Sequence, residues 1–237
     1  MFMITIKRIT AIIIVTIAAI IGMGFTLLSP IAQRTIAVQN PTTYAVIIDA
    51  GHGSFDGGAS TADGTLEKDL NLAIALKIRD ILVENNISVG MTRESDAAVE
   101  TDKKTIREKK NEDLRYRKNF IENSGAKVLV SIHMNTFEQT KYRGAQVFYS
   151  PNMPASAELA KLMQTAIING LNDGNTRTPA KAPQGVYLLQ SPPMPAILIE
   201  CGFLTNPEES TLLQTEEYQL KLAKIISQTI LEWLTNH

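Results

Sequence analysis

The chain has 237 residues, 23 basic and 24 acidic side chains, a formal net charge of −1 and a hydrophobic fraction of 44%. This ordinary, near-neutral composition gives no electrostatic footprint for nucleic acid and suits one globular domain with additions. The single cysteine, Cys201, excludes an intramolecular disulfide, so stability must come from a core, which about 190 residues can build.

Lys7 and Arg8 precede the uncharged run Ile9 to Leu28. About 20 apolar residues can span a bilayer as a helix, and a basic flank before such a run also fits a secretory signal. No polar face exists, which argues against a buried core helix. The length favours a retained membrane anchor over a cleaved signal, although "SPIAQ" and "TIAVQ" offer small residues for cleavage. Either way the remainder is exported. Residues 1–28 are thus a signal peptide or anchor, residues 29–43 a polar linker with two prolines, and residues 44–237 the folded domain. Removing residues 1–28 leaves 21 basic against 24 acidic groups, or −3.

The domain opens with "YAVIID", a short apolar run typical of a buried strand. Leu66, Leu70, Ala73, Ile74, Ile78, Ile81 and Leu82 then recur at helical spacing. "ISVGMT" reads as a strand, "NEDLRYRKNFIENSGA" as a helix ending at Gly125, and "KVLVSI" and "RGAQVFYS" as strands. "ASAELAKLMQTAIINGL" is a helix, "GVYLLQ" and "AILIE" are strands, and "EEYQLKLAKIISQTILEWL" closes the chain as a helix. The expectation is a single α/β domain: a twisted, mostly parallel or mixed sheet of about six strands with helices on both faces, preceded by one N-terminal apolar helix. Arg93 to Lys118 holds nine basic and seven acidic residues. This segment reads as a solvated loop and helix face, or else as a substrate- or partner-binding insertion.

Of three histidines, His237 is terminal. His52 follows "VIID" and His133 follows "VLVSI", so both fall just past the carboxyl ends of buried strands, the edge where open α/β sheets bind ligands. Glu67 lies in the first turn of the first helix, where a carboxylate is also favoured by the helix dipole alone. Glu200 closes the apolar run "AILIE" and belongs at the same edge. Two histidines and a carboxylate form a catalytic zinc set with a fourth position for water. A further carboxylate near that water can act as general base. Residue chemistry therefore points to a zinc hydrolase, through scattered ligands rather than one short motif.

"IIDAGHGSFDGGA", "LEKDLNLAIALKIRDIL", "VSIHMN" and "AILIECGFLTNPEE", in this order, resemble the zinc-dependent N-acetylmuramoyl-L-alanine amidases of the amidase-3 type, from about Tyr44 to Leu234. The resemblance implies one Zn2+ ion on His52, Glu67 and His133, with Glu200 as the catalytic acid. Asp49 and Asn135 are candidates to orient the ligands from behind, or else are turn residues. The implied substrate is peptidoglycan, a glycan strand with its stem peptide, cut between N-acetylmuramic acid and L-alanine. "MTRESD", "NEDLRYR", "GVYLLQ" and the short layout are similar to the branch of that family acting on spore cortex in endospore formers. That likeness implies cortex maturation needed for germination, a deacetylase acting next to give muramic-δ-lactam, an activator protein, and a place in the intermembrane or cortex region of the developing spore. Alternatives are a zinc peptidase of the stem peptide, or a non-catalytic peptidoglycan binder or activator, which could dispense with the four residues present here. Arg93 and Arg115 pair with acids or contact stem-peptide carboxylates. Cys201 reads as a small buried hydrophobe. The three prolines of "LLQSPPMPAILIE" make a rigid loop that delivers a strand, or a groove wall.

Overall fold

A computed structural model describes residues 43–237. The expected anchor or signal, and the linker apart from its last residue, lie outside the described residues. Among the described residues no helix is long and apolar enough to cross a membrane.

Six strands form one mixed sheet in the order β2-β1-β3-β6-β4-β5. They are β1 (Val46–Ala50), β2 (Val89–Met91), β3 (Val128–Asn135), β4 (Gln146–Tyr149), β5 (Ala180–Lys181) and β6 (Ala196–Phe203). β2, β1, β3 and β6 run parallel, β4 runs against β6, and β5 lies parallel to β4. β1 is buried at all five positions, as a central parallel strand covered on both faces requires. The helices are α1 (Glu67–Glu84), α2 (Ile106–Glu122), α3 (Pro154–Leu171), α4 (Pro207–Leu213) and α5 (Glu216–Asn236).

Strand alternation sorts the core into two layers. Val46, Ile48, Val130, Ile132, Ile197 and Ile199 pack with Leu70, Ile74 and Ile78 of α1, Leu159 and Met163 of α3, and Leu222 and Ile226 of α5. On the other face Ile47, Leu129 and Leu198 pack with Ile121 of α2 and with Leu188 and Leu189. That face carries one helix and a short turn of chain, so its cover is incomplete.

Four of the expected elements differ from the sequence reading. "GVYLLQ" is not a strand: Tyr187–Leu189 is a single 3-10 turn, and Leu188 and Leu189 are both buried, whereas successive strand residues point to opposite faces. The sixth strand is instead the two-residue β5. β3 and β6 also run past the points where their apolar runs stop, so His133 lies within its strand rather than beyond it, and Glu200 is interior to β6 rather than its last residue. α2 begins at Ile106, behind a reciprocal capping box of Thr105 and Glu108. Its interior is not all solvated: Arg117 is 3% exposed.

Candidate metal centre and active site

The site occupies the carboxyl ends of β1, β3 and β6 on the α2 face. His133 and Glu200 are direct cross-strand partners, and Asn135 pairs with Phe203. β6 therefore holds one more residue than β3 over this stretch, a bulge of the kind that re-aims side chains.

His52 sits two residues past β1 with φ of 61°, and Ser54 has φ of 51°. The left-handed region is costly for residues with a Cβ and persists where surroundings over-determine it. Here two buried arginines clamp three successive carbonyls. Arg117 Nη2 donates to His52 O (2.6 Å) and its Nη1 to Ala50 O (2.8 Å). Arg93 Nε donates to Ala50 O (2.8 Å) and its Nη2 to Gly51 O (2.9 Å). Two glycines admit the side chains that follow: a Cβ at Gly51 would lie 2.3 Å from the His133 ring, and one at Gly58 would lie 2.5 Å from Glu67 Oε2.

Glu67 begins α1 and is 4% exposed. Its Oε2 accepts from Ala59 N (2.9 Å), and its Oε1 accepts from Met134 N (3.1 Å). The same Oε1 lies 3.2 Å from His52 Nε2 and 3.1 Å from His133 Nδ1. Ligand atoms of His52, Glu67 and His133 thus converge within 4.8 Å of one another, close enough to hold one metal ion. Two imidazole nitrogens and a carboxylate oxygen are the donor types of a tetrahedral zinc site with one open position.

The electrostatics fit such a centre. Burial disfavours a charged His52, but the Asp56 and Glu67 carboxylates outweigh it and raise its pKa to about 9. Burial would raise the Glu67 carboxyl, yet His133 and His52 hold it far below the usual range. Glu200 moves the other way. Burial, reinforced by the Glu67 charge and only partly offset by the histidines, raises it to about 7, where a carboxyl can both take and return a proton. Buried side-chain polar atoms normally have partners. Among the described residues the three without a hydrogen bond are Glu200 Oε2, Asn71 Oδ1 and His52 Nδ1, all at this site.

Sequence reasoning missed Asp56, Asn71 and Arg117. Asp56 Oδ2 lies 3.0 Å from His52 Nδ1, near in distance though off hydrogen-bond alignment, and Lys110 Nζ holds its other oxygen at 2.7 Å. A carboxylate behind a ligating imidazole fixes its tautomer and orientation. The only sequence signal was its place in the glycine-rich block around His52. Asn71 Nδ2 donates to Gly51 O (3.2 Å) and to Glu67 Oε1 (3.3 Å). Asp49 accepts from Ser131 Oγ (2.5 Å), Thr92 Oγ1 (2.7 Å) and Arg117 Nη1 (2.9 Å). It therefore reaches His52 through Arg117 and touches no ligand side chain. Burial pushes its carboxyl up, but Arg117, His133 and the two hydroxyls bring it below its ordinary value. Among the described residues the Asn135 side chain bonds none of the ligands; its carbonyl accepts from Leu204 N (2.9 Å). Arg93 is bonded to carbonyls throughout, and Arg115 is exposed. Cys201 is a free, buried thiol whose pKa burial raises.

A cavity of about 330 Å³ opens beside His52, His133 and Glu200, walled by Phe55, Leu114 and Tyr187. It fills the gap that α2 and the 3-10 turn leave over the sheet.

The profile of the N-acetylmuramoyl-L-alanine amidase family matches residues 46–232. The germination-specific N-acetylmuramoyl-L-alanine amidase of Bacillus subtilis (strain 168) is 41% identical over 191 residues, covering 80% of this chain and 79% of that protein. The amidase AmiA of Escherichia coli (strain K12) is 29% identical over 232 residues, covering 79% and 75%. The CwlD amidase from Clostridioides difficile, solved in complex with the GerS lipoprotein, superposes with a TM-score of 0.79 at 42% identity, covering 82% of this chain and 100% of that one. The chain belongs to the N-acetylmuramoyl-L-alanine amidase family.

Proposed function

We propose that this member of the family hydrolyses the amide between the lactyl carboxyl of N-acetylmuramic acid and L-alanine in spore-cortex peptidoglycan, with His52, Glu67 and His133 holding one zinc ion and Glu200 moving the proton. The observation that carries the reading is the Glu200 carboxyl, buried, unpartnered at Oε2 and poised near pH 7 beside the converged donor atoms. An ion bound by these donors supplies Lewis acidity, enough to bring a water toward neutral pKa and to polarise a carbonyl. Glu200 takes a proton from the attacking water as the new C–O bond forms. It returns that proton to the alanine nitrogen as the C–N bond breaks, leaving an amine and a lactyl carboxylic acid that loses its own proton to solvent. Asp56 and Arg117 keep His52 in place throughout, and the cavity beside the triad admits substrate.

Glu200→Gln tests the proton role. Zinc content is expected to persist while turnover falls by about 10²- to 10⁴-fold, the usual worth of a general acid–base. Full activity would sink the mechanism. The cortex assignment is supported by the germination-specific name of the Bacillus subtilis relative. Its biological consequence is the substrate for a deacetylase, which then gives muramic-δ-lactam. Spores lacking this protein should lack that lactam, and normal lactam levels would remove the cortex role while leaving the amidase chemistry. The GerS lipoprotein bound to the Clostridioides difficile relative supports a need for an activator partner. A membrane anchor or cleaved signal in residues 1–28 would place the domain outside the cytoplasm, in the forespore envelope or cortex; mass spectrometry of the mature N-terminus separates the two.

A further inference from the structure

Of the arginines first suggested for stem-peptide carboxylates, Arg93 is committed to backbone carbonyls and Arg115 is exposed on α2, and a different one has the right address. Across the α2 face, at the level of the site, three strands present a row: His133 on β3 pairs with Glu200 on β6, and Glu200 pairs with Gln146 on β4. Directly paired residues have side chains on one face and Cβ atoms about 5 Å apart. The donor triad therefore lies on one side of Glu200 and Gln146 on the other.

Gln146 is held by Arg177. Arg177 Nη1 donates to Gln146 Oε1 (2.8 Å), its Nε donates to Arg143 O (2.9 Å), and its guanidinium lies 4.6 Å over the Phe203 ring. Gln146 Nε2 donates to Thr178 O (3.1 Å), closing the arrangement. Phe203 follows the β6 bulge and pairs with Asn135, so it stands one step outward from Glu200. Arg177 is half-buried. Among the described residues it forms no ion pair, in contrast to Arg79, Arg117 and Arg143. The charges acting on Glu200 are those of His133, Glu67 and His52, so Arg177 does not neutralise the catalytic acid either. It is a positioned, half-buried cation one side chain away from Glu200 by way of Gln146, with no ion pair among the described residues.

We propose that Arg177, seated on Phe203 and aligned by Gln146, receives a carboxylate of the stem peptide beyond the L-alanine. The inference rests on Glu200 returning the proton to the alanine nitrogen. The departing amine then lies on the Glu200 side of the triad, and the peptide leaving from it runs toward β4. A planar guanidinium suits a carboxylate better than an ammonium would. The cation–π seat on Phe203 and the two bonds to Gln146 and Arg143 fix its orientation before substrate arrives.

The test uses the zinc-loaded full chain and two peptide pairs. Each pair begins with L-alanine, followed by a residue carrying either a carboxylate or the matching carboxamide, with or without an N-acetylmuramoyl group on the alanine. Calorimetric binding of the free peptides reads the subsite without turnover, and hydrolysis of the muramoyl forms reads it during catalysis. The wild-type chain should bind the carboxylate peptide roughly tenfold more tightly and show a similar preference through KM. Arg177→Gln should erase the preference, and Arg177→Lys should keep part of it. Equal binding of the two peptides by the wild-type chain overturns the proposal. So does an Arg177→Gln loss of the same size on both peptides, which marks a structural role. With a GerS-type lipoprotein partner also supplied, discrimination in binding without hydrolysis of either muramoyl form would instead overturn the amidase reading and leave this subsite standing.

Discussion

On the α1 side of the sheet, Val130, Ile132, Ile197 and Ile199 lie fully buried under three helices. On the α2 side, the residues alternating with them on the same two strands are Ser131, His133, Leu198 and Glu200, and all four line the cavity. One face is a close-packed interior of the usual kind. The other is left short of cover, and polar groups that a dry core would exclude are kept there, each tied to a neighbour or held in reserve. Alternation along β3 and β6 thus carries stability and chemistry in the same strands, one face each. Changes on the two faces should therefore read out on different instruments.

The sharpest contrast comes from ligand removal. His133→Ala should abolish tight zinc binding and cut turnover by more than the 10–100-fold typical of losing a group behind a ligand. The metal-free domain should still unfold cooperatively. Equal zinc affinity in that variant would place the metal elsewhere. Ile74→Ala is the counterpart on the packed face: about 2–5 kcal/mol of stability lost in denaturant titration, with turnover per folded molecule unchanged.

Glu200→Gln should blur the division in a telling way. The folded pKa of Glu200 is raised to about 7 from an ordinary 4.5. Its ionisation therefore costs nothing below about pH 4.5 and erodes stability as pH rises through 7. In the metal-free protein, the glutamine variant should be more stable than wild type above pH 7 by about 2 kcal/mol, after discounting for partial exposure. The gap should close by pH 4.5, as followed by melting temperature across that range. A gap that does not change with pH would refute the burial assigned to this carboxyl.

Asp56→Asn gives the smallest effect. Above pH 9 zinc affinity should fall by about 10–100-fold, since the carboxylate no longer orients His52. At pH 7 the loss should shrink, because wild-type His52, with a pKa of about 9, first has to release a proton that the variant holds less tightly. Chelator competition at the two pH values measures the difference.

The same two-faced construction explains what was legible in the sequence. Long helices and central strands were readable because one side of each meets the dense layer, leaving Leu70, Ile74 and Ile78 or Val46 and Ile48 in regular register. His52, Glu67, His133 and Glu200 were identifiable by type and motif. The strand ends were misplaced because an apolar run stops where one face loses its cover, and β3 and β6 continue for some residues beyond that point. "GVYLLQ" carries strand-like apolar residues that fill the second, thinner layer as a 3-10 turn. Arg117 was hidden in a charge-dense helix, since nothing local distinguishes an arginine that turns inward to Asp49 and the His52 carbonyl.

β4 runs against its neighbour, so it meets the catalytic edge with its first residue, Gln146, whereas β3 and β6 meet it near their last. The chain segments preceding β4 and β5 consequently arrive at the edge where the parallel strands deliver their reactive groups. Loops accept insertion and substitution more readily than the strands they join. Two of the candidate reactive groups, His133 and Glu200, are thus anchored within sheet strands, while the ground beside them belongs to connecting segments that can be rewritten. A designer seeking a different stem peptide would edit residues 136–145 and 172–179 and leave the hydrolytic apparatus untouched.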